Sequence, residues 1–139
     1  GSTRRQAKSG ELTPFPTLYW LCQPQVVRAI ADLERRGYVH KIDDRMRNSL
    51  ELSDILMGCH RRYALDRWNS ISTEEQCRLS PRMRHILCDS GISGSNITTV
   101  FPSVKCLHAH YAHYRASGTN PVGELVHELL QHQFPSLIL

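Results

Sequence analysis

The segment KCLHAHYAHY, residues 105–114, places one cysteine and three histidines within ten positions. Thiolate and imidazole together are donors that zinc and other soft divalent ions favour, and a structural zinc site usually takes four such ligands. The same two groups serve as nucleophile and base in cysteine-dependent enzymes. The segment therefore predicts a metal site or a catalytic thiol, and packing of these side chains in a core is the third interpretation.

A helix through this segment would decide which of the side chains meet. The proline at 102 and the glycine at 118 predict a helix over 102–117. At about 100° per residue, Cys106, His110 and His113 then share an arc of about 60°, and His108 lies on the opposite side. We expect His110 to be buried beside Cys106, and His113 to pack or to support the site. His108 is expected to face the glycine-containing loop over 89–96 or solvent.

The metal ligands predicted from this stripe are Cys22, Cys106, His110 and His113. Cys22 is included among the predicted ligands because it precedes a predicted helix, where unpaired backbone N–H groups and the helix dipole favour a thiolate. The Cys59–His60 pair is another source of the fourth ligand. No Asp or Glu stands beside the motif as a general base, which favours binding, with zinc as the expected cofactor, over catalysis. The enzymatic alternative uses Cys22 or Cys106 as nucleophile with His110.

A second candidate feature is the glycine-containing segment DSGISGSN, residues 89–96, which precedes the motif. Backbone N–H groups of such turns bind anions, although the GxxxxGK[ST] phosphate-loop pattern is absent. The ligand-binding residues expected at this loop and at the start of the following helix are therefore His108, Lys105, Gly91 and Gly94. Asn120 is a further expected ligand-binding residue.

Apolar spacing and capping residues predict a mainly α-helical fold with a minor extended or β element. Helices are expected over 24–36, 49–69, 81–90, 102–117 and 121–133, with a short one after the SxxE capping box at residue 72. Residues 14–22 are predicted to be extended, and GYVHKI, residues 37–42, to be a short strand.

The chain has 139 residues, which is enough for one domain. Gly1 and Ser2 are typical of a tag-cleavage scar, and the following residues to 13 predict a mobile basic arm, so that 14–139 form a single globular domain. No apolar run reaches the roughly 20 residues of a membrane span. The five cysteines are an odd number without a CxxC pair, which favours reduced thiols and an intracellular setting.

The net charge is +4, and 15 of the 17 Lys and Arg residues precede residue 91. Solvated helix faces commonly produce such a distribution. The alternative is a surface that tracks phosphates, so that the basic half would contact nucleic acid or a protein partner.

Several segments in this order resemble a bacterial family catalogued as domain of unknown function 501: PTLYWLC, IADLERRG, GISG, VKCLHAH and NPVG. The resemblance spans roughly residues 14–125, and KCLHAH and NPVG are its most specific pieces. It implies that the segments by which the family is recognised contain Cys22, Cys106, His108, His110, Asn120 and Gly123. It implies no particular activity, and it does not extend to His113, Cys59 or His60.

Overall fold

Helices make up most of this computed structural model, which describes Arg4–Gln6, Leu12–Pro14, Tyr19 and residues 21–139. The helices are α1 (Pro24–Arg35), α2 (Tyr38–Arg47), α3 (Leu50–Asn69), α4 (Thr73–Cys77), α5 (Pro81–Asp89), α6 (Leu107–Ser117) and α7 (Pro121–Gln133), with a 3₁₀ turn at Ile92–Gly94. Strands β1 (Arg4–Gln6) and β2 (Leu12–Pro14) pair antiparallel. The predicted mainly helical fold is confirmed.

The strand pair falls on the predicted basic arm and on the first residue of the predicted extended segment. Residues 1–3, 7–11, 15–18 and 20 lie outside the described residues, as do the expectations that fall on them.

Most helix ends lie where local signals predict them. Ser49, Ser72 and Ser80 each accept a hydrogen bond from the amide three positions on, which supplies one of the free helix-start N–H groups with an acceptor. Gly37 and Gly118 adopt left-handed backbone angles at the ends of α1 and α6. The predictions for α1, α3, α5 and α7 are correct to within one residue at most ends because these signals act over a few positions.

The strand predicted over 37–42 is wrong, since this segment begins α2. Ile42 and Met46 lie one turn apart and are both buried in the main core. An Arg47–Asp43 ion pair, with 2.8 Å between Nε and Oδ2, adds a contact at helical spacing. Burial of one helical face outweighs the modest β-propensity of the Tyr-Val pair at its start.

The predicted start of α6 at residue 102 is also wrong. The helix begins at Leu107, and Cys106 is its N-cap with extended backbone angles, φ −141° and ψ 116°. Upstream, the Val104 amide donates to Asp43 Oδ1 at 2.9 Å, which ties the approaching segment to α2.

The main core lies among α1, α2, α3, α6 and α7. Its fully buried members include Ile30, Leu33, Leu56, Leu107 and Val126. Helices α6 and α7 form the most extensive interhelical contact, and α1 packs on both. Among the described helices, none is both long enough and apolar enough to cross a lipid bilayer.

Candidate functional site

Cys106 lies where α1 meets the start of α6. Because it is the N-cap, its side chain does not continue the stripe of the helix that follows, and the angular relation predicted from residue 102 does not hold. Its side chain is half-buried. The position places a thiol beside the N–H groups that open α6.

Glu34, near the end of α1, joins that helix to α6 through both carboxylate oxygens. Oε2 accepts a hydrogen bond from the Leu107 amide at 2.9 Å, which supplies a partner to a helix-start N–H. Oε1 lies 2.9 Å from His108 Nδ1. The carboxylate is therefore anchored by one oxygen and presents the other to His108.

His108 bridges the same two helices. Its Nε2 lies 3.0 Å from the Val27 carbonyl oxygen of α1. A carbonyl can only accept, so Nε2 carries a proton and donates it. The ring is thereby fixed with Nδ1 toward Glu34.

Three donor atoms converge at this junction. Glu34, Cys106 and His108 each contribute one potential ligand atom, and these three atoms lie within 4.8 Å of one another. No other such set of three His, Cys, Asp or Glu side chains occurs among the residues that the structure describes. All three side chains are half-buried, so the site is accessible from solvent.

Protonation at the site follows from these contacts. A hydrogen bond with His108 lowers the pKa of the Cys106 thiol, against the effect of burial. The same bond raises the pKa of His108 to about 9, with smaller contributions from the Val27 carbonyl and Glu34. At neutral pH His108 is an imidazolium, whose two N–H groups face the acceptors on Val27 and Glu34.

The structure does not bring the four predicted metal ligands together. His110 and His113 turn to Asn120, and Cys22 lies exposed before α1, outside the group formed by Glu34, Cys106 and His108. The expectation that His108 faces the glycine loop or solvent is wrong.

Sequence reasoning missed Glu34 because only residues beside the motif were searched for a carboxylate. Leu107 and Glu34 are 73 positions apart in the chain. The segment IADLERRG, which contains Glu34 and contributes to the family resemblance, was the available signal.

A second polar cluster surrounds Asn120, the N-cap of α7. Its Oδ1 accepts from the amides of Val122 and Gly123 at 2.9 and 3.1 Å. This fixes the amide orientation, so the NH2 group donates to Nδ1 of His110 and of His113 at 3.2 and 3.1 Å. The predicted burial of His110 is confirmed, and the role of Asn120 in the fold is to connect α6 to α7.

Burial lowers the pKa of both of these histidines, that of His110 to well below its usual value. His110 Nε2 has no hydrogen-bond partner among the residues that the structure describes, and its ring packs edge-on against His60, with 5.4 Å between centroids. His60 donates from Nε2 to the Ser103 carbonyl and accepts at Nδ1 from the Ile92 amide. These rings are neutral at pH 7.

The glycine loop supports His60 and offers little to an anion. A Cβ at Gly91 would come within 2.5 Å of His60 Nδ1, so only glycine fits there. The amides of Gly91, Ile92, Gly94 and Ser95 all donate within the protein. These N–H groups are therefore not available for a bound anion, and Lys105 is simply exposed.

Several arginines of the basic half have partners in the fold. Arg36, Arg47 and Arg62 pair with aspartates four positions away. Arg67 is fully buried and donates to the carbonyls of Leu87 and Ser90. These contacts agree with solvated helix faces and structural roles, and a nucleic-acid or protein partner for this half stays a prediction.

Comparison with known proteins identifies a family. A family model described as "Protein of unknown function (DUF501)" matches residues 2–128. The matched range contains Glu34, Cys106, His108 and Asn120. No curated protein and no solved structure matches the chain.

Proposed function

We propose that this chain, which belongs to the DUF501 family, is a divalent-metal-binding protein whose ligands are Glu34, Cys106 and His108. The observation that carries the proposal is the convergence of three donor atoms within 4.8 Å. These ligands replace the set expected from the helical stripe, of which only Cys106 is kept.

The hydrogen bonds made by the ligand atoms that would not bind the ion support the proposal. In metal sites, a ligating histidine donates its other ring N–H to a carbonyl or carboxylate, and a ligating carboxylate is itself hydrogen-bonded. His108 donates from Nε2 to the Val27 carbonyl, and Glu34 Oε2 accepts from the Leu107 amide. Nδ1 and Oε1 are left to face each other at 2.9 Å. A metal ion would take the place of the proton between them.

Zinc fits this donor set best, because thiolate, imidazole and carboxylate are its usual ligands. Three protein ligands leave a fourth position for water or a substrate, as in catalytic zinc sites. Because the pKa of His108 is raised to about 9, its Nδ1 carries a proton at neutral pH that a bound ion must displace. We expect zinc binding near pH 7 to release at least one proton per ion.

Cobalt(II) titration followed by elemental analysis after zinc loading tests the proposal. We expect one ion per chain and a thiolate-to-cobalt absorption band. Cys106→Ser, His108→Ala and Glu34→Gln should each weaken binding by more than the roughly 10- to 100-fold typical of outer-sphere changes. The matched controls are Cys77→Ser and His40→Ala, which alter an exposed thiol and an exposed imidazole elsewhere.

Two results would contradict this assignment. One is full cobalt binding by His108→Ala together with its loss in His110→Ala or His113→Ala, which would restore the helical stripe as the site. The other is equal metal content in the Cys106→Ser variant and the Cys77→Ser control.

A second candidate function, a cysteine nucleophile, is favoured by the hydrogen bond between His108 and the Cys106 thiol, which lowers the pKa of that thiol. Cys106 is partly accessible, and the imidazolium of His108 would stabilise the ionised nucleophile and supply a proton to a leaving group. This pair replaces the predicted pairing with His110.

Alkylation by iodoacetamide, measured once with a chelator and once with zinc, distinguishes the two functions. In both cases Cys106 should react fastest of the five thiols, and His108→Ala should slow it. Zinc at saturating concentration should protect Cys106 if the site binds metal. Unchanged alkylation in zinc would favour the nucleophile alone.

A further inference from the structure

A cavity of about 570 Å³ lies between α3, the turn that joins α6 to α7, and Tyr19. Its walls include Tyr19, Gly58, Cys59, Asp66, His113 and Thr119. It shares no residue with the candidate metal site, and its volume is in the range of small-molecule sites.

The hydrogen bonds of Asn120 fix the protonation of His113. Since the Asn120 amide nitrogen donates to Nδ1 at 3.1 Å, Nδ1 is an acceptor and the neutral ring carries its proton on Nε2. Burial lowers the pKa of His113, which keeps the ring neutral near pH 7. The Nδ1 edge is occupied by Asn120, so the opposite edge, with Nε2–H, is the part left to face the cavity.

This N–H group is open to the cavity and is not sealed inside the protein, although His113 as a whole is 3% exposed. Within the described residues the only hydrogen bond of the ring is the one at Nδ1. The Nε2–H group can therefore donate to water or to an oxygen atom of a molecule in the cavity.

Gly58 supports a ligand in this cavity independently of His113. It lies in the interior of α3, where glycine is less stable than alanine. A Cβ at this position would meet no described atom within 4 Å, so packing of the described residues does not require glycine. Its effect is to leave the helix backbone open to close approach from the cavity.

The charges that line the cavity cancel. Arg62 pairs with Asp66, with 3.1 Å between Nε and Oδ1. The Cys59 thiol, whose pKa burial raises, is neutral and donates to the Thr119 carbonyl. A neutral ligand therefore suits the site better than an ion, and the ring of Tyr19 offers it an aromatic wall.

We propose that this cavity binds a neutral small molecule with a flat apolar body. Its carbonyl oxygen accepts the Nε2–H of His113, and its body lies over Gly58 against Tyr19. This site is independent of the proposed metal site.

Saturation-transfer NMR on the full chain, without added metal, tests the proposal with benzamide as a neutral probe and with benzoate and benzylamine as charged probes of similar shape. We expect benzamide to bind with a dissociation constant on the order of 1 mM, as suits so small a molecule. The two charged probes should bind several-fold more weakly.

Two variants locate the site. Gly58→Phe adds a ring to the cavity wall at a position where a Cβ meets no described atom within 4 Å, and it should abolish binding. Glu51→Phe, at an exposed position on the same helix, should leave binding unchanged. His113→Phe keeps a ring but removes the N–H, and should weaken binding roughly three- to tenfold.

The proposal is overturned if benzamide gives no saturation transfer, if charged and neutral probes bind equally, or if Gly58→Phe binds like the wild type. Gly58→Phe keeps the test decisive even if His113→Phe does not fold.

Discussion

Asn120 uses every hydrogen-bonding group of its side chain. It caps α7 through Oδ1 and donates to two buried imidazoles through Nδ2, and it is itself 2% exposed. If this side chain is removed, all four of the groups that it binds lose a hydrogen bond, and each loss is destabilising. Much of the stability of the α6–α7 pair therefore depends on this one amide.

We predict that Asn120→Ala lowers the free energy of unfolding by about 3 kcal/mol, the sum of a lost helix cap and two lost buried hydrogen bonds. Urea denaturation measures it. The control is Ser72→Ala, which removes the exposed cap of the short helix α4 and should cost about 1 kcal/mol. Equal losses in the two variants would show that the histidine contacts contribute nothing.

Buried imidazoles make the protein sensitive to acid. Burial lowers the pKa of His60 from 6.5 to about 4, so between these values the unfolded chain binds a proton that the folded chain does not. Stability from His60 is complete above pH 6.5 and falls as the pH falls toward 4, by about 3 kcal/mol in all. His110 and His113 act in the same direction.

The matched variant is His60→Gln, which cannot titrate and can offer an acceptor and a donor in place of the ring nitrogens. Denaturation at several pH values should show a shallower loss of stability below pH 6.5 than in the wild type. Cys106 and His108 contribute equally to the pH dependence of stability in the wild type and in the variant, so their effects cancel in the comparison. Parallel curves would contradict the assignment of the acid sensitivity to His60.

At the scale of the elements, the contact between α6 and α7 depends on Gly123. A Cβ there would lie 2.7 Å from the His110 carbonyl oxygen and closer still to the Tyr114 side chain. The backbone of α7 therefore approaches α6 more closely than any other residue type allows. This close approach explains why the segment NPVG ends in glycine in this chain.

We predict that Gly123→Ala destabilises the protein by about 1–3 kcal/mol, because the two helices must separate to admit the methyl group. Gly58→Ala is the matched control in an open helical position, and it should stabilise by about 0.5–1 kcal/mol. Thermal melting compares them. Similar shifts of the two melting temperatures would contradict the close approach.

For the whole molecule, the proposed metal site exists only when α1 is packed against the start of α6. Its ligands come from segments far apart in the chain, so an unfolded chain does not hold them together. A metal that binds only the folded state stabilises it by mass action.

We predict that zinc at about 100 times its dissociation constant raises the free energy of unfolding by about 2.7 kcal/mol. The melting temperature should rise with zinc concentration in the wild type and stay constant in Glu34→Gln and His108→Ala. Calcium is the control ion, because it prefers sets of oxygen ligands. A zinc response retained in both variants would place the ion elsewhere.

Much of the helical framework is determined by the sequence alone. Ser72 caps α4 as predicted, and Gly118 ends α6 as predicted, because capping depends on residues only a few positions apart. The resemblance likewise draws attention to KCLHAH and NPVG, the segments that contain Cys106, His108 and Asn120. The burial of His110 follows from the same local pattern.

Only the tertiary structure decided which side chains share a site. Helical phase depends on where a helix begins, and a start at Leu107 instead of 102 removes Cys106 from the stripe of His110 and His113. The packing of α1 on α6 then sets Glu34 beside His108. Such a contact depends on how whole helices bury their apolar faces, and no pattern within either segment specifies it.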